Sequence, residues 1–143
     1  VTLVNPGPVA PYTGMLPGHI AGHYPRDALM IDLVRLAAAA GARLILGRAT
    51  GLDPARRRIA VEGWGDVGYD AASLGIGIGS GLPDLPGFAE HGVAAKPLDA
   101  YAERWQAFLA KALPDPHVTV IGAGAAGVEL ALAMAFRLQG PGR

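Results

Sequence analysis

Val118-Thr-Val-Ile-Gly-Ala-Gly-Ala-Ala-Gly-Val-Glu-Leu-Ala131 decides the fold. A β-branched apolar run enters a Gly-x-Gly-x-x-Gly turn and leaves it as an alanine-rich helical pattern. That is the strand–turn–helix context a dinucleotide fingerprint requires. Gly122 permits the tight turn. Gly124 lets the backbone approach a pyrophosphate. Gly127 lets the helix pack close to the strand, and phosphates would then sit on the helix N-terminus. The spacing alone carries little; the flanking strand and helix patterns raise its weight against the plainer reading of a ligand-free βα turn. The motif begins close to the last residue, so the chain is expected to start a nucleotide domain without finishing it.

Working outward, strand-like and helix-like stretches alternate, which argues for an α/β fold with a mainly parallel sheet. Residues 1–4 read as a buried strand, ended by Asn5-Pro-Gly-Pro8. Residues 5–25 form a long Pro/Gly-rich loop, a length that is often functional. Residues 27–40 are expected to be helical, with Gly41 at the left-handed position after the helix. Residues 42–46 form the next strand, continued irregularly by 47–53. Residues 58–62 and 67–69 read as a β-hairpin around Gly63-Trp-Gly-Asp66. Residues 73–79 read as a glycine-laced strand, a sign of close backbone approach. Residues 80–97 are loop. Residues 98–113 form an amphipathic helix that turns Trp105, Phe108 and Leu109 to the core, stopped by Pro114-Asp-Pro116.

Composition excludes several function classes. Apolar residues make up 51% of the 143 and the net charge is zero, a globular balance with no basic stripe for nucleic acid. There is no cysteine, so disulfides, thiolate metal sites and a redox cysteine pair are excluded within these residues. His19 and His23 lack partners at metal-ligand spacing and read as surface or loop-packing residues. Arg56-Arg-Arg58 reads as a solvated turn, and Trp64 and Trp105 as packing residues. No apolar run is long enough to cross a membrane, and with no secretory segment a cytoplasmic location is the default expectation. No Ser-His-Asp or paired-carboxylate pattern stands out, which agrees with a cofactor carrying the chemistry.

Set in order, these segments resemble the pyridine nucleotide-disulfide oxidoreductase family of two-dinucleotide flavoproteins, in its branch related to type II NADH dehydrogenases. Tyr12-Thr-Gly-Met-Leu-Pro-Gly18 followed by Ala21-Gly-His-Tyr24 is similar to the NADH-dehydrogenase-like proteins associated with selenide, water dikinase. The resemblance implies a Rossmann-like FAD/NAD(P)-binding fold with a β-hairpin insertion, incomplete here. It implies a partial FAD domain over residues 1–113, without its first glycine motif, and the start of an NAD(P)H domain over 114–143.

The implied activity is hydride transfer from NAD(P)H to FAD, with electrons passed to a quinone or another acceptor. The chain alone is expected to be inactive. Attachment to the inner face of a membrane is a property the longer parent could have.

By the same resemblance, Asn5 stands where the family has an acidic residue that binds the adenosine ribose; an amide there still donates and accepts. Met15 and Leu16, in the loop of residues 12–18, pack toward the flavin. Ala49 meets the adenine. Gly77, Gly79 and Ser80 lie near the flavin pyrophosphate, where Gly77-Ile-Gly79 replaces the family's Ala-Thr-Gly. Gly122, Gly124 and Gly127 hold the NAD(P)H pyrophosphate, with Glu129 near the nicotinamide or flavin. No residue is assigned a catalytic or metal-binding role.

Two other functions fit the residues: a flavin-free NAD(P)-binding module, and a non-enzymatic interaction remnant. Visible flavin absorbance of the full-length protein separates the first reading from both. One structural expectation follows as well. Residues 118–121 are a first Rossmann strand with their own turn and helix. They have the chemistry to pair in parallel with residues 1–4, in the slot of the absent first FAD-domain strand.

Overall fold

The computed structural model describes residues 1–77 and 85–140. They form two compact units, one of Val1–Ala10 with Met30–Gly77, the other of Pro11–Leu29 with residues 85–140.

The first unit is built on a parallel pair. β1 (Thr2–Asn5) lies beside β4 (Arg43–Leu46) with Thr2 opposite Arg43 and Asn5 opposite Leu46. The crossover between them contains α2 (Leu33–Ala39), which presents Leu33 and Ala37 as its buried residues. Asp32 starts this helix, its carboxylate accepting the Arg35 N–H at 2.9 Å, as N-cap residues do. Gly41 ends it at φ +60°. There the Ala42 N–H reaches back to the Ala37 carbonyl (2.8 Å) and the Gly41 N–H to that of Ala38 (3.2 Å), the paired closure of a Schellman motif.

A three-stranded antiparallel sheet follows: β5 (Ala49–Asp53), β6 (Arg58–Val61) and β7 (Gly65–Gly68). Trp64, in the β6–β7 turn, donates its indole N–H to the Leu46 carbonyl at 3.2 Å and carries the Arg43 guanidinium over its ring at 5.4 Å. It ties this sheet to β4. The expected hairpin is present, and the stretch after β4 is its third strand.

The second unit is helical. α1 (Leu16–Ile20), α4 (Leu98–Ala110) and α5 (Ala125–Gln139) close around one apolar core. Leu16, Ile20 and Leu29 meet Leu98, Tyr101 and Trp105 of α4 and Leu130, Ala133 and Met134 of α5. Inside that core the Trp105 indole donates to the Ile20 carbonyl at 3.1 Å. A short helix, α3 (Phe88–His91), precedes α4. Among the described residues no helix is long and apolar enough to cross a membrane.

The loops expected over residues 5–25 and 80–97 contain regular structure: β2 (Val9–Pro11), a 3-10 turn at Thr13–Met15 and α1 in the first, α3 in the second. Three further expectations need correction. The helix over residues 27–40 is broken: a 3-10 turn spans Arg26–Leu29, β3 spans Met30–Asp32 and α2 starts only at Leu33. The buried Leu29 offers its carbonyl to the Tyr12 N–H at 2.7 Å, and Leu33 donates to Pro8 at 2.9 Å. Backbone groups on either side of β3 are therefore spent on the segment carrying β2 (Val9–Pro11), with which β3 pairs, and a continuous helix would leave those bonds unmade. Secondly, residues 73–77 form no strand; Leu74 and Ile76 are exposed and Gly77 sits at φ +71°. Residues 78–79 of that expected strand lie outside the described residues. Thirdly, residues 118–121 pair with no strand, and β1 has β4 as its one sheet neighbour among the described residues. Val120 is taken up instead by the apolar core of the second unit.

The β5–β6 turn contains Arg57 at φ 53°, a left-handed conformation that costs an L-residue roughly 1–2 kcal/mol. Its carbonyl still accepts the Tyr69 N–H at 3.1 Å, so the backbone there is fixed by pairing. Glycine relieves the strain but loses roughly 0.5–1 kcal/mol to unfolded-state entropy. Arg57→Gly is therefore expected to stabilise the chain by about 0.5–1 kcal/mol, read as a rise in the thermal midpoint. A lower midpoint would contradict this account of the turn.

Candidate nucleotide site

Residues 117–123 run without regular structure into the glycine turn that opens α5. Gly122 adopts φ +116°, a conformation that L side chains rarely adopt. A Cβ on Gly127 would collide with the Gly122 carbonyl oxygen and lie 3.0 Å from its carbon. The missing side chain at 127 therefore lets the turn fold back onto the first turn of the helix. The close approach is to the turn itself more than to the strand, since the nearest side chain, Val120, is 3.9 Å away.

This arrangement leaves the helix start open. Gly124 is the N-cap and offers no side-chain cap. The first bond of the helix runs from the Val128 N–H to the Gly124 carbonyl at 3.1 Å. The N–H groups of Ala125, Ala126 and Gly127 have no partner among the described residues. Nothing lies within 4 Å of a Cβ placed on Gly122 or Gly124. Orphan donors at the positive end of a fifteen-residue helix, facing open space, are a fitting seat for a phosphate group.

A cavity of about 790 Å³ adjoins the turn. Gly122, Gly124 and Gly127 form part of its wall, and Phe88, Tyr101 and Trp105 part of the rest. Burial raises the Tyr101 phenol above its ordinary pKa, so it stays neutral through the physiological range and beyond. Arg104, His91 and His117 bring positive or protonatable groups to the same wall, and His117 Nε2 lies 3.2 Å from the Asp115 carboxylate. The sequence reading did not name Arg104. Its signal was present in the helical spacing of Tyr101, Arg104, Trp105 and Phe108, at i, i+3, i+4 and i+7 of α4.

The other candidate residues fall in two places. In the second unit, Leu16 is buried in the core with Met15 packed against it, and Glu129 is exposed in the second turn of α5 without an ion pair among the described residues. His19 is also buried there: its Nδ1 donates to the Tyr24 carbonyl at 2.9 Å and its Nε2 lies 3.5 Å from the Gln106 amide. That is the loop-packing role read from the sequence.

In the first unit, Asn5 closes β1 at the C-terminal end of the parallel pair, where α/β sheets place ligands. Its side-chain amide donates to the Gly7 carbonyl at 2.7 Å, leaving Oδ1 unpartnered among the described residues. Its own carbonyl accepts the Gly47 N–H at 2.9 Å, which brings the segment leading to the exposed Ala49 to the same edge. Gly77 ends the described part of this unit, and Gly79 and Ser80 lie outside the described residues.

A family model described as pyridine nucleotide-disulphide oxidoreductase matches residues 1–139. No curated protein matches the chain significantly. Among solved structures, the chain is similar to the sulfide:quinone oxidoreductase from the hyperthermophilic bacterium Aquifex aeolicus. The TM-score is 0.64 at 17% identity, over 96% of this chain and 35% of that one. The likeness is one of fold, and the chain spans about a third of that protein's length.

The turn geometry separates two of its glycines. Gly127→Ala is expected to lower stability by about 1–3 kcal/mol, because a methyl group is forced against the Gly122 carbonyl. Gly124→Ala, with open space and an ordinary φ of −70°, is expected to stay within about 0.5 kcal/mol of the parent. Chemical denaturation of the two variants measures both. Equal effects would contradict the close approach.

Proposed function

This chain belongs to the pyridine nucleotide-disulphide oxidoreductase family, and we propose that it is part of an FAD-dependent oxidoreductase in which hydride from NAD(P)H reaches flavin and the electrons leave to a quinone. The observation that carries the reading is the uncapped start of α5, with three free N–H groups beside an open glycine turn. A bound flavin supplies hydride acceptance and onward electron transfer, and the protein supplies position and electrostatics.

In this reading residues 114–143 begin the NAD(P)H domain and residues 1–113 supply part of the FAD domain. The N–H groups of Ala125, Ala126 and Gly127 hold the dinucleotide pyrophosphate. Gly122 and Gly124 keep the approach clear, and Glu129 lies on the helix that follows. On the flavin side, the Asn5 Oδ1 accepts from the adenosine ribose and the backbone at Ala49 borders the adenine. Gly77, Gly79 and Ser80 are assigned to the flavin pyrophosphate, and Met15 and Leu16, where a 3-10 turn meets α1, to the support of the flavin. The quinone acceptor is suggested by the printed name of the similar structure. The Tyr12–Gly18 motif adds a suggested association with selenide, water dikinase.

Gly124→Val in the full-length parent places a branched side chain in the space reserved for pyrophosphate. The variant is expected to keep FAD and to reduce it much more slowly at a given NAD(P)H concentration. Rapid mixing with NAD(P)H, followed at the flavin absorbance, gives the result. Reduction kinetics unchanged across NAD(P)H concentrations would remove this turn from the mechanism.

A further inference from the structure

One polar group in the wall of the cavity beside the glycine turn has nothing to bond. Tyr101 of α4 is only 7% exposed, and its ring is held in the core with Leu98 one turn before it and Trp105 one turn after. Its hydroxyl makes no hydrogen bond among the described residues. Every fully enclosed side-chain nitrogen or oxygen among those residues does have a partner. The bare hydroxyl is therefore the uncovered tip of an otherwise buried residue, and the space it reaches is the cavity of about 790 Å³. Its direction is set by core packing that the chain itself supplies. The volume lies in the range of about 300–1,000 Å³ usual for small-molecule sites. Arg104, three residues further along α4, lines the same cavity and makes no ion pair among the described residues.

We propose that Tyr101 is a dinucleotide-binding residue whose hydroxyl donates to a phosphate oxygen of the NAD(P)H seated on the free N–H groups of Ala125, Ala126 and Gly127. The inference rests on the assignment of the glycine turn to NAD(P)H. A pyrophosphate has more oxygen lone pairs than three backbone N–H groups can serve, so a donor from another wall of the cavity completes its shell. A phenol suits that place. Burial keeps it protonated, so it donates to an anion without a charge of its own to desolvate. Its ring is already fixed among Leu98 and Trp105, so little side-chain freedom remains to be lost on binding. Arg104 adds positive charge from the same helix, and because it is exposed its contribution is screened by salt.

Rapid mixing of the full-length parent with NADH tests the proposal, the apparent Kd being read from the concentration dependence of flavin reduction. Tyr101→Phe removes the hydroxyl and keeps the ring. It is expected to raise Kd about tenfold, as the loss of a hydrogen bond to a charged group does. Because the hydroxyl has no partner in the free protein, the thermal midpoint without nucleotide is expected not to fall. Arg104→Gln, at an exposed position, is expected to raise Kd by a smaller factor and to flatten its dependence on salt. Gly124→Val serves as the reference for the turn itself. A Kd unmoved by Tyr101→Phe while Gly124→Val raises it would overturn the role of Tyr101 and leave the turn in place. A Kd moved by neither variant would remove both. A lower midpoint with an unchanged Kd would show that another part of the protein holds the hydroxyl, and would overturn the proposal too.

Discussion

The functional reading of this molecule depends on one close contact, that between Gly127 and the carbonyl of Gly122. A side chain at 127 would push the turn away from the helix. Its absence lets the chain reverse sharply at Gly122 and enter α5 with no residue shielding the first three N–H groups. A helix end is normally capped because unpaired donors are costly when buried. Here they face open space beside a cavity. Of the described α-helices α2 alone has a side-chain N-cap, from Asp32; α1, α3 and α4 also start without one. What sets the start of α5 apart is the open glycine turn beside its free donors, and anion binding is the chemistry that suits it.

What keeps that turn in place is the core behind it. α5 contributes Leu130, Ala133 and Met134 to a cluster shared with α1 and α4, and the Trp105–Ile20 hydrogen bond fixes α4 against the end of α1. The Pro/Gly-rich segment at residues 12–24 is consequently more than a surface loop. It supplies Leu16 and Ile20 to the core, and its buried His19 turns one ring nitrogen to the Tyr24 carbonyl and the other to Gln106 of α4. Through α1 that segment packs directly against both α4 and the helix that bears the glycine turn.

Much of this was legible in the residues. The strand–turn–helix context marked the glycine turn, Gly41 marked the end of a helix, and the Gly63-Trp-Gly-Asp66 turn marked a hairpin; each is a local signal with a local cause. The misreadings share a different cause. Residues 27–40 have helical composition, yet tertiary bonds from Leu29 and Leu33 break the helix into a strand and a shorter helix. Residues 118–121 have the β-branched composition of a strand and, among the described residues, no strand paired with them. Residues 73–77 look like a strand by hydropathy, but Gly77 at φ +71° departs from extended geometry. Composition states what a segment favours alone; partners decide which preference is realised. Arg104 was passed over for a simpler reason: a charge on an amphipathic helix reads as solvated until a cavity is seen beside it.

Backbone amide chemical shifts of the chain, followed by two-dimensional NMR while NADH is added, test the central claim most directly. The account predicts saturable shifts concentrated at Ala125, Ala126 and Gly127, the donors left free at the start of α5. Amides at these three positions that stay unmoved at saturating NADH, or shifts confined to other parts of the molecule, would contradict it.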